Sequence, residues 1–361
     1  MNSKALTIAS YWNYLENKQY NKYVTVRWNK LNQIAEERAF DVFEAPNWRA
    51  SGVYAKHEWA FASQEFFANC FNSDFNIFEK PDTKYTVENP QKPEKPFTGS
   101  YAMQRMIYEH CGERIPNADD FAEHVASPRA MKKFFGGTVP MPAPELKQIC
   151  GECFVVNLKN QYGGNPLNLL EEAMVYDHER KRSVIRAFNG GKGLVELLVN
   201  NFGAAYGRDC YALNKNGIPL YNFLDFSKRA QLVAIMLHDR ALDSGGILPL
   251  VADIDEVGPI ADYELPKSFR ALEVFEYSPE LAELVDNWKE IKAESRMEIE
   301  IRAATVAACL RLLEEINDIR SDIPGPVKLQ RLNICHIDYW LWKMGRDAKH
   351  LRPHLTRTSA Y

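Results

Sequence analysis

The sequence predicts a mainly α protein, and three observations carry that expectation. Apolar residues beyond Gly99 recur at three- and four-residue intervals, and Ser, Pro and Gly stand where those periodic stretches begin and end. Segments with the two-residue alternation of strands are short and lie mostly in the first hundred positions. With 361 residues and 46% hydrophobic content the chain can build a sizeable core, as one large domain or two ordinary ones.

The elements follow in order. "YVTVRW" (23–28) alternates like a short strand, "DVFEAPNW" (41–48) is irregular, and "DTKYTVE" (82–88) reads as one arm of a hairpin. The Pro/Lys-rich loop "ENPQKPEKPFTG" (88–99) divides a mixed α/β N-terminal section, 1–98, from a helical catalytic domain, 99–361, the two forming one compact unit. In "GGKGLVELLVNNFG", Leu194, Leu197, Leu198 and Phe202 share a face and Gly203 is placed to end the helix. "FSKRAQLVAIMLHDRAL" carries the stripe Phe226, Ala230, Val233, Leu237 and Ala241. "YSPELAELVDNWK" opens with Ser278 as N-cap and Pro279 at the first helical position. Ser295 and Glu298 form a capping-box pattern before a long helix through Ile299, Ala303, Val306, Leu310 and Leu313. A last helix buries Ile334, Ile337, Leu341 and Met344 and stops near Gly345.

Composition narrows the function classes. Lys+Arg 44 against Asp+Glu 48 gives a net charge of -4, unlike a protein held on nucleic acid mainly by counterion release. No apolar run reaches membrane-spanning length and "MNSKALTIASYWNY" lacks the core of a signal peptide, so the expectation is a cytoplasmic protein without membrane attachment. The seven cysteines are an odd number scattered through a long chain, which predicts reduced thiols. "CGEC" at Cys150–Cys153 has half the spacing of a zinc site, but no second CxxC or His pair follows; two cysteines on a helix face is the plainer reading, and no metal or cofactor is expected.

Three motifs invite chemistry. "FNGGKG" (188–193) clusters glycines at a helix start as an anion site would, yet it fails the GxxxxGK[ST] pattern and no strand pattern precedes it, so a flexible helix N-terminus is favoured. "YGG" (162–164) reads as a helix C-cap. "FSKRAQ" puts Lys228 and Arg229 where cations oppose the helix dipole, which suggests an anionic partner, a ligand or a local acid such as Asp225. In "NCFNSDFNIFEK" (69–80), Phe71, Phe75 and Phe78 alternate with amides and an acid, a pattern that suits a flat heterocycle or, more simply, a core. "VADIDEVGPIADYELPKSF" (251–269) sets Asp253, Asp255 and Asp262 among residues fit for a core. Asp262 at its edge would be partly desolvated, with its pKa raised; the alternative is that Asp253 and Asp262 cap helices or bind turn amides.

"YNFLDFSKRAQLV", "VADIDEVGPIADYELPKSFRALEVFEYSPELAELV", "SRMEIEIRAATVAAC", "IDYWLW" and "PHLTRTSAY" resemble, in order and spacing, the queuosine salvage family of queuosine 5'-monophosphate N-glycosylases. The similarity is strongest over 209–361 and weaker back to about residue 40, with the first 35 residues extra. The resemblance implies a helical fold like that of DNA glycosylases and hydrolysis of the bond between ribose and a deazaguanine base, releasing queuine for tRNA modification. It further implies Asp262 as the catalytic carboxylate. Asp253 or Asp255 would accept the base edge, Phe75 would stack the base, and Tyr101 falls where the family usually has Trp. Lys228, Arg357 and Tyr361 would hold a 5'-phosphate. Glu264 and Lys267 replace the family's Arg and Gln, and Leu355 and Ala360 replace a basic residue and a Tyr, which bears on substrate choice. The implied partner is a small deazaguanine nucleotide or nucleoside, with no stable nucleic-acid binding. The rival readings are a helical DNA or RNA base glycosylase, which needs a basic duplex-binding face, and a non-catalytic nucleotide-binding or scaffold protein.

Overall fold

The computed structural model describes residues 3–16, 21–50, 52–75, 83–207, 209–215, 218–322 and 329–361. It is mainly helical, with four two-stranded sheets among the described residues. Its residues group into two compact units, each assembled from separated segments. One comprises Met1–Pro46, Cys210–Lys228 and Asp255–Thr356; the other comprises Asn47–Asp209, Arg229–Ile254 and Arg357–Tyr361.

The first unit is organised by the helix Arg296–Ser321. Ser295 accepts the Glu298 N–H, and no Gly or Pro interrupts the helix that follows. Only half of the expected capping box forms, because Glu298 Oε2 takes the N–H of Glu294 at 3.2 Å instead of that of Ser295. Ala303, Ala304, Ala307 and Ala308 are fully buried, and such small side chains allow neighbouring elements close approach. Helices Ser3–Glu16, Trp28–Arg38, Glu264–Ala271 and Ile334–Asp347 pack on it. Glu300 accepts the N–H of Val24 at 2.8 Å and so anchors the strand Val24–Val26, which pairs antiparallel with Phe275–Tyr277. The strand read in "YVTVRW" is thus present, with a partner some 250 residues away. Strands Cys210–Lys215 and Ile218–Asp225 form a hairpin. Ser278 caps Pro279–Asp286 as expected. Helix Ile334–Asp347 approaches Glu264–Ala271 at Gly345, where a Cβ would fall 2.6 Å from the Glu264 carbonyl oxygen. The helix therefore runs two residues past the glycine read as its stop; Gly345 provides clearance.

The second unit has an aromatic core. Phe67 stacks on Phe121 at 4.2 Å and meets Phe154 edge-on at 5.1 Å. Gly151, inside CGEC, lies against this core, and a Cβ there would fall 2.6 Å from both Phe71 and Val125. Cys150 and Cys153 are free thiols on the helix Pro144–Tyr162, which Gly163 ends in a left-handed C-cap. The hairpin Thr86–Val87/Phe97–Thr98 encloses most of the Pro/Lys-rich loop. A strand hairpin the sequence did not reveal, Met174–Asp177 with Arg182–Ile185, precedes the glycine-rich loop. That loop holds a carboxylate of its own: Glu196 Oε2 accepts the N–H groups of Asn189 (2.7 Å) and Gly193 (2.9 Å). Those donors are therefore engaged within the chain, in keeping with the helix-start reading.

Candidate active site

In the first unit Pro259, Ile260 and Ala261 are buried, and the chain turns tightly there, Asp262 N–H bonding the Ile260 carbonyl at 2.8 Å. Asp262 is 8% exposed. Its Oδ1 accepts the N–H groups of Glu264 (2.8 Å) and Leu265 (3.3 Å), the first turn of the helix Glu264–Ala271. The capping reading of Asp262 is therefore correct for one oxygen, while Oδ2 takes no part in those bonds. Burial raises its pKa above the usual 3.8, opposed by the Lys228 ammonium, the two amides and the Arg302 guanidinium. Lys228, 5% exposed, opens the helix Lys228–Leu242, where its charge opposes the dipole. Asp262 belongs to the anionic environment that the sequence called for beside it.

Arg302 lies fully buried, its guanidinium carbon 4.0 Å from the Phe226 ring centroid, with Nε donating to the Ala261 carbonyl at 3.0 Å. His354 is also buried; burial, with Arg302, pushes its imidazole down to about 3, so it is neutral at physiological pH. Glu264 and Lys267, both buried, pair with each other at 3.5 Å, so their charges offset locally. Asp255 is exposed in the short 3-10 turn Ile254–Glu256. Leu355 is buried, its carbonyl accepting the Ile291 N–H at 2.7 Å.

The other expected residues belong to the second unit. Asp253 uses both oxygens on backbone, Oδ1 accepting the Ala187 N–H (2.8 Å) and Oδ2 that of Phe188 (3.0 Å). It holds a turn, as the turn-amide alternative expects, with one backbone amide on each oxygen of a buried carboxylate. Phe75 is 5% exposed, with the Lys147 ammonium 4.8 Å from its centroid and Tyr85 nearly parallel at 6.2 Å; these neighbours account for its burial without a ligand. Asn76 and Phe78 of the same motif lie outside the described residues. Asp74 accepts the Thr358 N–H through Oδ1 at 2.8 Å and donates its own N–H to Tyr361, which fixes the last residues. Tyr361 is buried and Arg357 exposed; Tyr101 is half-buried at 6.4 Å from Tyr54. Ala360 lines a small recess, with room for about one water, together with Tyr206, Asp209, Arg229 and Ser359.

A family model for the queuosine salvage protein matches residues 66–361. The chain belongs to the queuosine salvage protein family. Among similar relatives, a queuosine 5'-phosphate N-glycosylase/hydrolase of Dictyostelium discoideum is 31% identical over 183 residues, 50% of this chain and 51% of that one. One from Sphaerobacter thermophilus is 32% identical over 138 residues, 38% and 39% of the two chains, and one from Schizosaccharomyces pombe is 23% identical over 247 residues, 62% and 64%. The chain thus spans about half the length of the curated relatives it matches.

Both Asp262 and Lys228 fall within the matched region. Sequence reasoning missed Arg302, and also Asp338, whose Oδ2 accepts the Ile260 N–H at 2.7 Å beside the Asp262 turn. The available signal was an Arg set among alanines one helical turn after Glu298, and an Asp inside the aromatic "IDYWLW". Among the described residues no cluster of three or more His, Cys, Asp or Glu side chains suits a metal ion, and no helix is long and apolar enough to cross a membrane.

Proposed function

We propose that this protein hydrolyses the N-glycosidic bond of queuosine 5'-monophosphate, or of a related deazaguanine nucleotide or nucleoside, and releases the free base. The observation that carries the reading is Asp262: a buried carboxylate with one oxygen fixed on a helix start, facing the field of Lys228 and Arg302. The names of the relatives support the substrate class.

A 7-deazaguanine base has no N7 to protonate, so catalysis must act largely on the sugar. As the C1'–N bond breaks, positive charge grows on the ribose ring. A desolvated carboxylate beside C1' stabilises that cation and accepts a proton from the attacking water, whose oxygen bonds to C1', while the departing base keeps the electron pair of the broken bond and takes up a proton on that nitrogen, so that one water is added overall. Asp262 takes that role. Lys228 and Arg302 favour its ionised form against the desolvation that opposes it. One positioned acid/base group contributes a factor of about 10²–10⁴. Tyr101, Arg357 and Tyr361 are proposed separately as substrate-binding residues, to be read as changes in KM on substitution.

The test is incubation with deazaguanine nucleosides and their 5'-monophosphates, followed by chromatography for released base. Base release from the monophosphate that disappears in Asp262→Asn supports the reading. No release from any substrate of the panel, or full activity in Asp262→Asn, overturns it.

A further inference from the structure

Two helices of the first unit grip the turn that carries Asp262. From Arg296–Ser321, Arg302 donates Nε–H to the Ala261 carbonyl at 3.0 Å while its Nη1 reaches Glu298 at 3.4 Å. From Ile334–Asp347, Asp338 accepts the Ile260 N–H through Oδ2 at 2.7 Å. These are backbone groups of the two residues immediately before Asp262, whose own N–H is turned back onto the Ile260 carbonyl. Each residue has only two soft backbone torsions, so holding Ile260 and Ala261 from opposite ends restricts the direction in which the Asp262 side chain leaves the chain.

We propose that Asp338 and Arg302 are positioning residues for Asp262, fixing where its carboxylate lies while making no contact with substrate themselves. The inference rests on the role given to Asp262 above. A fully buried ion pair such as Arg302 with Glu298 is weak support for stability, since a well-packed apolar pair commonly does as well. A directional task explains its presence better: a guanidinium supplies one donor to Ala261 and another to Glu298 from a single rigid plane, which an ammonium cannot do. Asp338, half-buried, applies its carboxylate to one amide of the same turn.

The test uses the full chain and queuosine 5'-monophosphate, with kcat and KM measured for the wild type, Asp262→Asn, Asp338→Ala, Asp338→Asn and Arg302→Lys, and the folded fraction taken from circular dichroism and melting. Small misplacement of a reacting group costs about 10²-fold in rate. Asp338→Ala and Arg302→Lys are expected to lower kcat per folded molecule by about that factor, with KM within about threefold of wild type. Asp338→Asn keeps an amide oxygen for the Ile260 N–H, so it should recover most of the kcat lost in Asp338→Ala. Wild-type kcat in Asp338→Ala, a loss expressed mainly in KM, or Asp338→Asn as slow as Asp338→Ala overturns the proposal. If Arg302→Lys does not fold, the two Asp338 variants decide alone; if Asp338→Ala does not fold, Arg302→Lys and Asp338→Asn decide. Failure of the underlying reading looks different: no base is released by the wild type, or Asp262→Asn retains full activity.

Discussion

Asp253 and Asp262 come from one acidic, apolar stretch, and both are buried, yet the structure uses them differently. Asp253 applies one oxygen to the Ala187 amide and the other to the Phe188 amide, distant in sequence. Asp262 applies a single oxygen to the two amides that follow it, a local arrangement that leaves Oδ2 outside the cap, in the field of two cations. The lesson is that burial of a carboxylate does not identify chemistry. What distinguishes the two is how many oxygens the backbone takes and which charges face the remainder.

Four measurements would break or sharpen that contrast. The largest effect is expected for Asp262→Asn, which should cut base release by roughly 10²–10⁴-fold while the circular dichroism spectrum stays native, because the amide oxygen can still accept from Glu264 and Leu265. Asp253→Ala should act on stability instead. One buried and one part-buried N–H group lose their acceptor, and chemical denaturation should show a loss of about 1–3 kcal/mol, with activity falling only as the folded fraction falls. A large loss per folded molecule would return Asp253 to the substrate. Gly345→Ala should cost about 1–3 kcal/mol by forcing its helix off the Glu264 carbonyl, a strain transmitted to the residue two places after Asp262.

The smallest effect concerns pH. Burial raises the folded pKa of Asp262 above its unfolded value near 3.8, so its contribution to stability is fully present below that value and is lost as pH rises through the folded pKa. Asp262→Asn removes that loss. The variant's melting temperature should exceed that of wild type at neutral pH, and the gap should close as pH falls below 3.8. A gap that stays constant across that range would show that ionisation of Asp262 is not its source.

Much of the helical framework was legible in the sequence, because its signals are local. Ser278 with Pro279, Ser295, and the glycines after Tyr162 mark helix ends by their own hydrogen-bonding and backbone preferences. The strand hairpin at 174–185 was not, since four-residue strands in a half-exposed segment carry little periodicity. Nor was the grouping into units, which depends on contacts between segments far apart in the chain. At the candidate site, Asp262 and Lys228 were singled out through resemblance together with charge placed against apolar neighbours. Arg302 and Asp338 were not, because their partners are backbone atoms of another segment, and a backbone carbonyl has no residue type to recognise. The partners of Asp253 were hidden for the same reason, being amides at 187 and 188.

The helix Glu264–Ala271 starts on the very side chain to which hydrolysis is assigned. An extra methylene in Asp262→Glu would therefore force a choice between abandoning the first turn of that helix and displacing the reactive oxygen. Aspartate and glutamate, interchangeable at many surface positions, are not equivalents at the head of this helix.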